Sequence, residues 1–307
     1  MNSMKNFLTM LREDNYTIFL FHGVIDSHPK KGIRNYNRKH VLRSEFDWLI
    51  KNLMFRGNPI DMRQLLICSE NGETLPRKSF SITFDDGFLN NHKFAAPILK
   101  KYNCPATFYL ASSFVCSNKM SWVDRIEHAV DVSNKKLIKF NDACYTIVTQ
   151  NEKINFMEAV RKNFKSKKGC DFDNEASKIQ KYLIGEEITS LKGFLDEKMT
   201  WKHVRELCSE SLFNIGGHSH SHGILSHLTG ESLNDEVRRP IEIISRECSI
   251  KTKHFSYPEG LEHHFNFSVI KALRQHGVCC CPTAIHGFND RKVDIKDLFT
   301  LKRVSVV

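Results

Sequence analysis

The stretch 79-SFSITFDDG-87 joins a predicted strand to two carboxylates. Apolar side chains at 80, 82 and 84 alternate with small polar ones, which predicts a β-strand. Asp85 and Asp86 follow at its carboxyl end, where catalytic residues of barrels and α/β sheets collect. Neighbouring carboxylates both stay ionised only near a positive group, and a metal would supply that charge. A plain Asp-Asp-Gly surface turn is the alternative.

Segments on both sides of this strand alternate between strand and helix patterns. Apolar runs at 16–24 and 105–111 predict strands, and apolar residues at helical spacing predict helices over 43–57 and 93–102. The order strand, helix, strand, helix, strand is typical of a parallel sheet or barrel with crossover helices.

Residues 125–198 interrupt this order. A hairpin over 137–148 and helices over 153–167, 173–185 and 187–198 are expected there, so we predict a mostly helical insertion. The alternation returns from residue 200. It continues with a strand at 213–215, a helix over 231–248 that Pro240 kinks or interrupts, a helix over 266–277 and strands around 278–283 and 299–306.

Bulk composition is that of a soluble globular protein. The 307 residues suffice for one large α/β domain or two smaller ones, with 41% hydrophobic and 26% charged residues. No apolar run approaches the ~20 residues of a membrane span, and the first residues do not resemble a secretory signal. We therefore expect a cytoplasmic protein, with a place at the membrane periphery left open, and reduced cysteines.

The net charge of +10 has two interpretations. One is an ordinary lysine-rich surface; the other is an acidic partner, such as a phosphate-bearing substrate or an anionic membrane. No nucleic-acid recognition motif is found, so a nucleic-acid partner is not expected.

The stretch 216-GGHSHSHG-223 carries three histidines at alternate positions. On a strand His218, His220 and His222 would share a face, whereas on a helical turn His218 and His222 would lie together. Two histidines and one carboxylate leave open positions on a metal, which suits zinc and also iron(II), cobalt or nickel. The other aspartate can then act as general base on a metal-bound water.

These motifs, in this order, resemble the polysaccharide deacetylases with a NodB homology domain, carbohydrate esterase family four. The resemblance covers 84–114, 199–228, 255–260 and 300–306. It implies an α/β fold, a distorted (β/α) barrel of about seven strands. We expect a single domain over 1–307 with the insertion at about 125–198. The implied reaction is metal-dependent removal of an N-acetyl group, or a formyl group, from an amino sugar.

Residue roles follow from the same resemblance. The resemblance implies that Asp85 is the general base. It implies that Asp86, His218 and His222 bind the metal, most simply zinc, and that His220 stands at a variable position. The backbone N–H of Glu259 becomes an oxyanion donor. The same segment contributes the expected substrate-binding residues Tyr257 and Pro258.

Other expected site residues compensate for departures from the family. Ser256 stands where many members carry an arginine that orients the base, and Arg303 takes that role from the closing strand. His22 lies at the end of the first predicted strand. It is expected to be an active-site residue, or alternatively a hydrogen-bonded histidine that ends the strand. Trp122 stacks on a sugar or packs in the core. His263 and His264 are expected in solvent.

The predicted substrate is an N-acylated amino sugar, nucleotide- or lipid-linked, in surface polysaccharide or glycolipid biosynthesis. The alternative is a glycan-binding module that keeps the fold and has lost catalysis. A binding-only descendant needs neither a base nor a full ligand set.

Overall fold

The computed structural model describes residues 2–167 and 171–307. Its helices are α1 (Asn2–Leu8), α2 (Arg43–Arg56), α3 (Met62–Glu70), α4 (Ala96–Lys101), α5 (Ser112–Ser117), α6 (Trp122–Val132), α7 (Gln150–Ser166), α8 (Phe172–Ile184), α9 (Trp201–Cys208), α10 (Gly230–Cys248) and α11 (Phe267–Gln275). Its strands are β1 (Asn15–Phe21), β2 (Gly23–Ile25), β3 (His40–Leu42), β4 (Asn58–Pro59), β5 (Ser79–Phe84), β6 (Ala106–Leu110), β7 (Leu137–Phe140), β8 (Ala143–Thr146), β9 (Phe213–Gly217), β10 (Asn289–Asp290) and β11 (Val304–Ser305).

Parallel pairing of β1, β5, β6 and β9 forms the centre of a seven-stranded sheet within the described residues. In register, Phe21 lies opposite Phe84, and Phe84 lies opposite Phe108. Helices connect these strands, which confirms the predicted α/β class. Because the strands are parallel, the residues after β5, β6 and β9 meet at one edge of the sheet.

The regular strands do not close a barrel by themselves. Beyond β9, isolated parallel β-bridges pair Gly217 with Phe255 and His254 with Cys280. The chain returns to β1 through β11, where Val304 pairs with Phe19. The expected strands at 278–283 and 299–306 are thus much shorter than predicted. A barrel of about seven strands remains a prediction on this pairing.

Two hydrophobic clusters lie on opposite sides of the central sheet, because strand side chains alternate between faces. Phe19 and Phe21 of β1 pack in the first cluster with α2 and α4. Tyr16 and Ile18 pack in the second, which also holds the buried Cys280 and Cys281. The described cysteines are free thiols.

A third cluster belongs to the region of the predicted insertion. Ile126 of α6, Phe156 and Phe164 of α7 and Leu183 of α8 are buried in it, together with Trp122. The predicted hairpin is present as β7 and β8, paired antiparallel. The first two predicted helices are present as α7 and α8.

The predicted helix over 187–198 is wrong. Backbone groups of this segment pair with a distant loop: the Leu89 amide donates to Glu197 O at 2.8 Å, and the Met199 amide donates to Gly87 O at 2.9 Å. Asp196 forms an ion pair with Arg34 at 2.5 Å. These tertiary partners replace helical hydrogen bonds, so local spacing misled the prediction.

Other differences are smaller. The predicted strand over 16–24 is split at His22 into β1 and β2, and α10 continues through Pro240 without interruption. Helix α3 was missed, although Asp61 caps it by accepting from the Arg63 amide at 2.8 Å. Among the described residues, no helix has the length and apolarity that crossing a membrane requires.

Candidate active site

The site lies where β5 and β9 end at the same sheet edge. Asp85 and Asp86 follow β5, and His218 follows β9; their exposed fractions are 3%, 4% and 2%. Asp86 has a φ of 74°, a left-handed conformation that non-glycine residues rarely adopt. This strained turn places two adjacent carboxylates beside the histidine loop, which is residues 218–223. Strained backbone conformations are common at functional sites.

Three ligand atoms converge beside the sheet edge. His222 Nε2 lies 3.2 Å and His218 Nε2 lies 3.5 Å from Asp86 Oδ1. Each of Asp86, His218 and His222 offers one ligand atom, and these three atoms all lie within 4.8 Å of one another. Asp86 Oδ1 is buried and accepts no hydrogen bond from the described residues. An orphaned carboxylate oxygen is costly in a protein interior, and a divalent cation would satisfy it together with both imidazoles.

The histidine loop is neither a strand nor a helix over residues 218–223. Ser219 and His222 have φ values of 60° and 62°, which break the extended course of β9. His220 turns the other way: its Nδ1 lies 2.8 Å from Ser112 Oγ, and its amide donates to Glu236. His218 and His222 therefore converge without His220.

Both converging histidines are held in place by the protein. His218 Nδ1 lies 2.8 Å from the Ser256 carbonyl, which directs its Nε2 toward Asp86. The His222 ring stacks on Phe114 at a centroid distance of 5.8 Å. Although burial lowers it, the Asp86 carboxylate raises the pKa of His222 above its ordinary value.

Arg303 grips the other aspartate with both guanidinium branches. Its Nη1 and Nη2 donate to Asp85 Oδ1 and Oδ2 at 3.0 and 2.8 Å. Nη2 also donates to Ser256 Oγ at 2.9 Å. Burial raises the pKa of Asp85, but Arg303 and then His218 outweigh it and hold that pKa below its usual value. Asp85 is therefore an oriented, ionised carboxylate at neutral pH.

Sequence reasoning missed a cation behind Asp86. Lys39 Nζ lies 3.7 Å from Asp86 Oδ2 and donates to Asp124 Oδ1 at 2.8 Å. Lys198 Nζ lies 3.8 Å from Asp124 Oδ2 and 3.4 Å from the centroid of the Phe88 ring. Burial lowers the pKa of Lys198 to about 8. Lys39 lies on a turn-rich loop with no motif of its own, so no local signal marked it.

A cavity of about 200 Å³ opens in front of the two aspartates. His22 lines it and is half-buried, and burial lowers its pKa to about 4. Trp122 also lines it while packing against Phe164 and Phe172 at 4.9 and 5.6 Å. This tryptophan is thus both a cavity wall and part of the third cluster.

The segment around Glu259 closes another side of the cavity. Tyr257 lines it, but its hydroxyl donates to Phe299 O at 3.1 Å and is committed to the core. Pro258 is buried, and its carbonyl accepts from the Gly260 amide at 2.7 Å. Neither residue presents a free side-chain hydrogen-bonding group to a ligand.

Glu259 combines a left-handed backbone with a partly buried ion pair. Its φ is 60°, and its Oε2 lies 2.5 Å from Lys165 Nζ on α7. Although burial raises it, Lys165 and His222 bring the pKa of Glu259 down to about 2. No described residue accepts a hydrogen bond from the Glu259 amide. Helix α7, in the region of the predicted insertion, therefore reaches the cavity, which the sequence did not indicate.

The prediction that His264 lies in solvent is wrong. His264 is fully buried, and its Nδ1 accepts from the Leu261 amide at 3.1 Å. Burial lowers its pKa to about 4, so it is neutral at physiological pH. The run of charged and polar residues around it suggested a solvated loop, but a short 3₁₀ turn folds the ring inward.

The chain matches a family described as polysaccharide deacetylase. The match covers residues 72–140 and 172–280, which is more than half of the chain. A curated protein, the poly-beta-1,6-N-acetyl-D-glucosamine N-deacetylase of Escherichia coli (strain K12), is 32% identical over 78 residues. That stretch is 25% of this chain and spans only 11% of the length of the relative.

Solved structures share the fold at low identity. The deacetylase PplD of Streptococcus pyogenes, in complex with acetate, is 14% identical with a TM-score of 0.60, covering 96% of this chain and 93% of that one. IcaB from Ammonifex degensii is 16% identical with a TM-score of 0.58 and the same coverage. A de-N-acetylase from Aggregatibacter actinomycetemcomitans is 19% identical with a TM-score of 0.55, covering 95% and 94%.

Proposed function

Because the chain belongs to the polysaccharide deacetylase family, we propose that it is a metal-dependent hydrolase that removes an acetyl or formyl group from the nitrogen of an amino sugar. The observation that carries the proposal is the juxtaposition of two units. One is the Asp85–Arg303 pair, and the other is the group of Asp86, His218 and His222. A general base and a ligand set side by side are what amide hydrolysis by water needs.

The donor set of one carboxylate and two imidazoles fits zinc, and also cobalt, nickel or iron(II). A divalent ion held there would act as a Lewis acid on the amide carbonyl and lower the pKa of a bound water. The chain prepares the site: Lys39 supports the ionised Asp86 from behind, and the Ser256 carbonyl fixes the His218 ring.

Asp85 would take the proton of the attacking water. Its carboxylate lies 3.9 Å from His218 Nε2, close to the ligand group but held by Arg303 rather than within it. Arg303 keeps the carboxylate ionised and fixes its orientation, which a general base requires. This gives the two adjacent aspartates different tasks.

Developing negative charge on the amide oxygen would be met by the Glu259 amide. That N–H has no acceptor among the described residues, and the Lys165 ion pair fixes the left-handed turn that carries it. A preorganised backbone donor of this kind is the usual oxyanion device. His22, which lines the same cavity, would hydrogen-bond the leaving amine.

The remainder of the substrate would lie along a second hollow of about 380 Å³ that shares Trp122 and His222 with the cavity. Aromatic rings and carboxylates line this hollow, including Phe172 and Glu236. Such a lining suits the apolar faces and hydroxyl groups of sugars. We place the reaction in surface polysaccharide or glycolipid biosynthesis.

Release of acetate and formate tests this function. The metal-stripped protein is reconstituted with zinc or cobalt and assayed on nucleotide sugars, lipid-linked sugars and N-acetylglucosamine oligosaccharides. We expect metal-dependent release, abolished by Asp85→Asn with metal content retained, and unaffected by the matched exposed variant Asp142→Asn. Metal binding without release from any substrate would instead support a glycan-binding module.

A further inference from the structure

Arg161 is a half-buried cation on the wall of the catalytic cavity. It lies on α7, within the predicted insertion, and lines the same cavity as Asp85 and Asp86. No carboxylate of the described residues lies within 4.0 Å of its guanidinium. Burying a guanidinium without a paired anion is costly, so its position calls for an explanation.

Nearby carboxylates are already engaged with other groups. Glu158, on the same helix, accepts from the Tyr36 hydroxyl at 2.6 Å. The others are paired with cations: Asp85 with Arg303 at 2.8 Å, Asp86 with Lys39 at 3.7 Å, and Glu259 with Lys165 at 2.5 Å. Arg161 is therefore a cation on the cavity wall whose guanidinium has no carboxylate within 4.0 Å among the described residues.

We propose that Arg161 binds an anionic group of the substrate, a phosphate or a carboxylate carried next to the N-acylated amino sugar. This inference rests on the proposed deacetylase function and narrows its substrate class to charged amino sugars. A guanidinium presents paired N–H donors that match two oxygens of either anion.

The test compares three small substrates on the metal-loaded enzyme. N-acetylglucosamine 1-phosphate carries a phosphate, N-acetylmuramic acid carries a carboxylate, and methyl N-acetylglucosaminide is neutral. For Arg161→Met we expect KM for at least one anionic substrate to rise roughly 10- to 100-fold, with kcat nearly unchanged. KM for the neutral sugar should not move. Arg161→Lys should restore part of the affinity, and whichever anion responds identifies the source of the charge.

Lys162→Met is the matched control, because Lys162 is exposed on the same helix. Equal changes for neutral and anionic substrates in Arg161→Met would make Arg161 a packing residue and overturn the inference. Titration of the two anionic sugars into the Asp85→Asn protein measures binding without turnover. Binding that depends on Arg161 would support the anion site even if no substrate is hydrolysed. Absence of such binding for both would refute the site and leave the deacetylase function standing on its own assay.

Discussion

Replacing Arg303 with methionine would leave the Asp85 carboxylate buried without its bidentate cation. The two side chains are 0% and 4% exposed, and two hydrogen bonds of 3.0 and 2.8 Å join them. Removing one partner of a buried ion pair costs about 3–5 kcal/mol, because the other charge stays in the interior. We expect the free energy of unfolding of metal-free Arg303→Met to fall by about that amount near neutral pH.

The loss should depend on pH in a defined direction. In the wild type Arg303 keeps the pKa of Asp85 below its usual value, so the pair stabilises the fold above the ordinary aspartate pKa. That contribution disappears as the pH falls through the lowered pKa. Without Arg303, burial raises the pKa of Asp85 instead, so the variant is penalised most at neutral pH. The difference between the two proteins should therefore shrink as the pH falls toward ~4.

Two measurements check this reasoning. Urea unfolding of the metal-free proteins near neutral and acidic pH gives the stability difference, and the pH profile of kcat/KM gives the state of the base. The acid limb of that profile should move to higher pH in Arg303→Met. Adding Asp85→Asn to Arg303→Met should return about 2 kcal/mol, because it removes the unpaired charge. A pH-independent loss, with no recovery in the double variant, would mean that Arg303 only fills space.

Three further predictions concern the histidines and the third hydrophobic cluster. His22→Gln should lower kcat while metal content is retained; a change confined to KM, measured in steady-state kinetics, would contradict its role at the leaving amine. Metal affinity should weaken as the pH falls through the raised pKa of His222, because the proton that Asp86 stabilises there competes with the metal; a flat pH profile in competition with a chelator would oppose this. Phe164→Ala should cost about 3–5 kcal/mol in the free energy of unfolding, since its ring is 1% exposed in the third cluster; a urea midpoint unchanged from the wild type would show that this cluster adds little stability.

The alternation around β5 was sufficient to predict the position of both aspartates. Buried parallel strands impose apolar runs, and their carboxyl ends meet at one edge, so a local pattern there has a global consequence. Helices α2, α7 and α8 were predictable from a different local pattern, because each has an apolar face with helical spacing. The segment 187–198 was not, since Asp196 and its neighbours take their partners from elsewhere in the chain.

The site residues that could not be predicted from local sequence patterns are positioned by long-range contacts. The Arg303–Asp85 contact spans 218 positions, and only the family resemblance suggested it. Lys39 lies on a loop, and Arg161 and Lys165 lie on α7; neither segment carries a motif, and tertiary packing alone brings these residues to the cavity. Spacing left the role of His220 open because it cannot reveal the positive φ of Ser219 and His222.

Metal binding by histidine variants tests the central claim most directly. Zinc content after reconstitution and zinc affinity by calorimetry are measured for His218→Ala, His222→Ala and His220→Ala, beside the wild type. We predict about one ion per chain in the wild type and in His220→Ala, with affinity reduced at least about 100-fold when His218 or His222 is lost. Equal loss in all three variants, or no bound metal in the wild type, would contradict the ligand set of Asp86, His218 and His222.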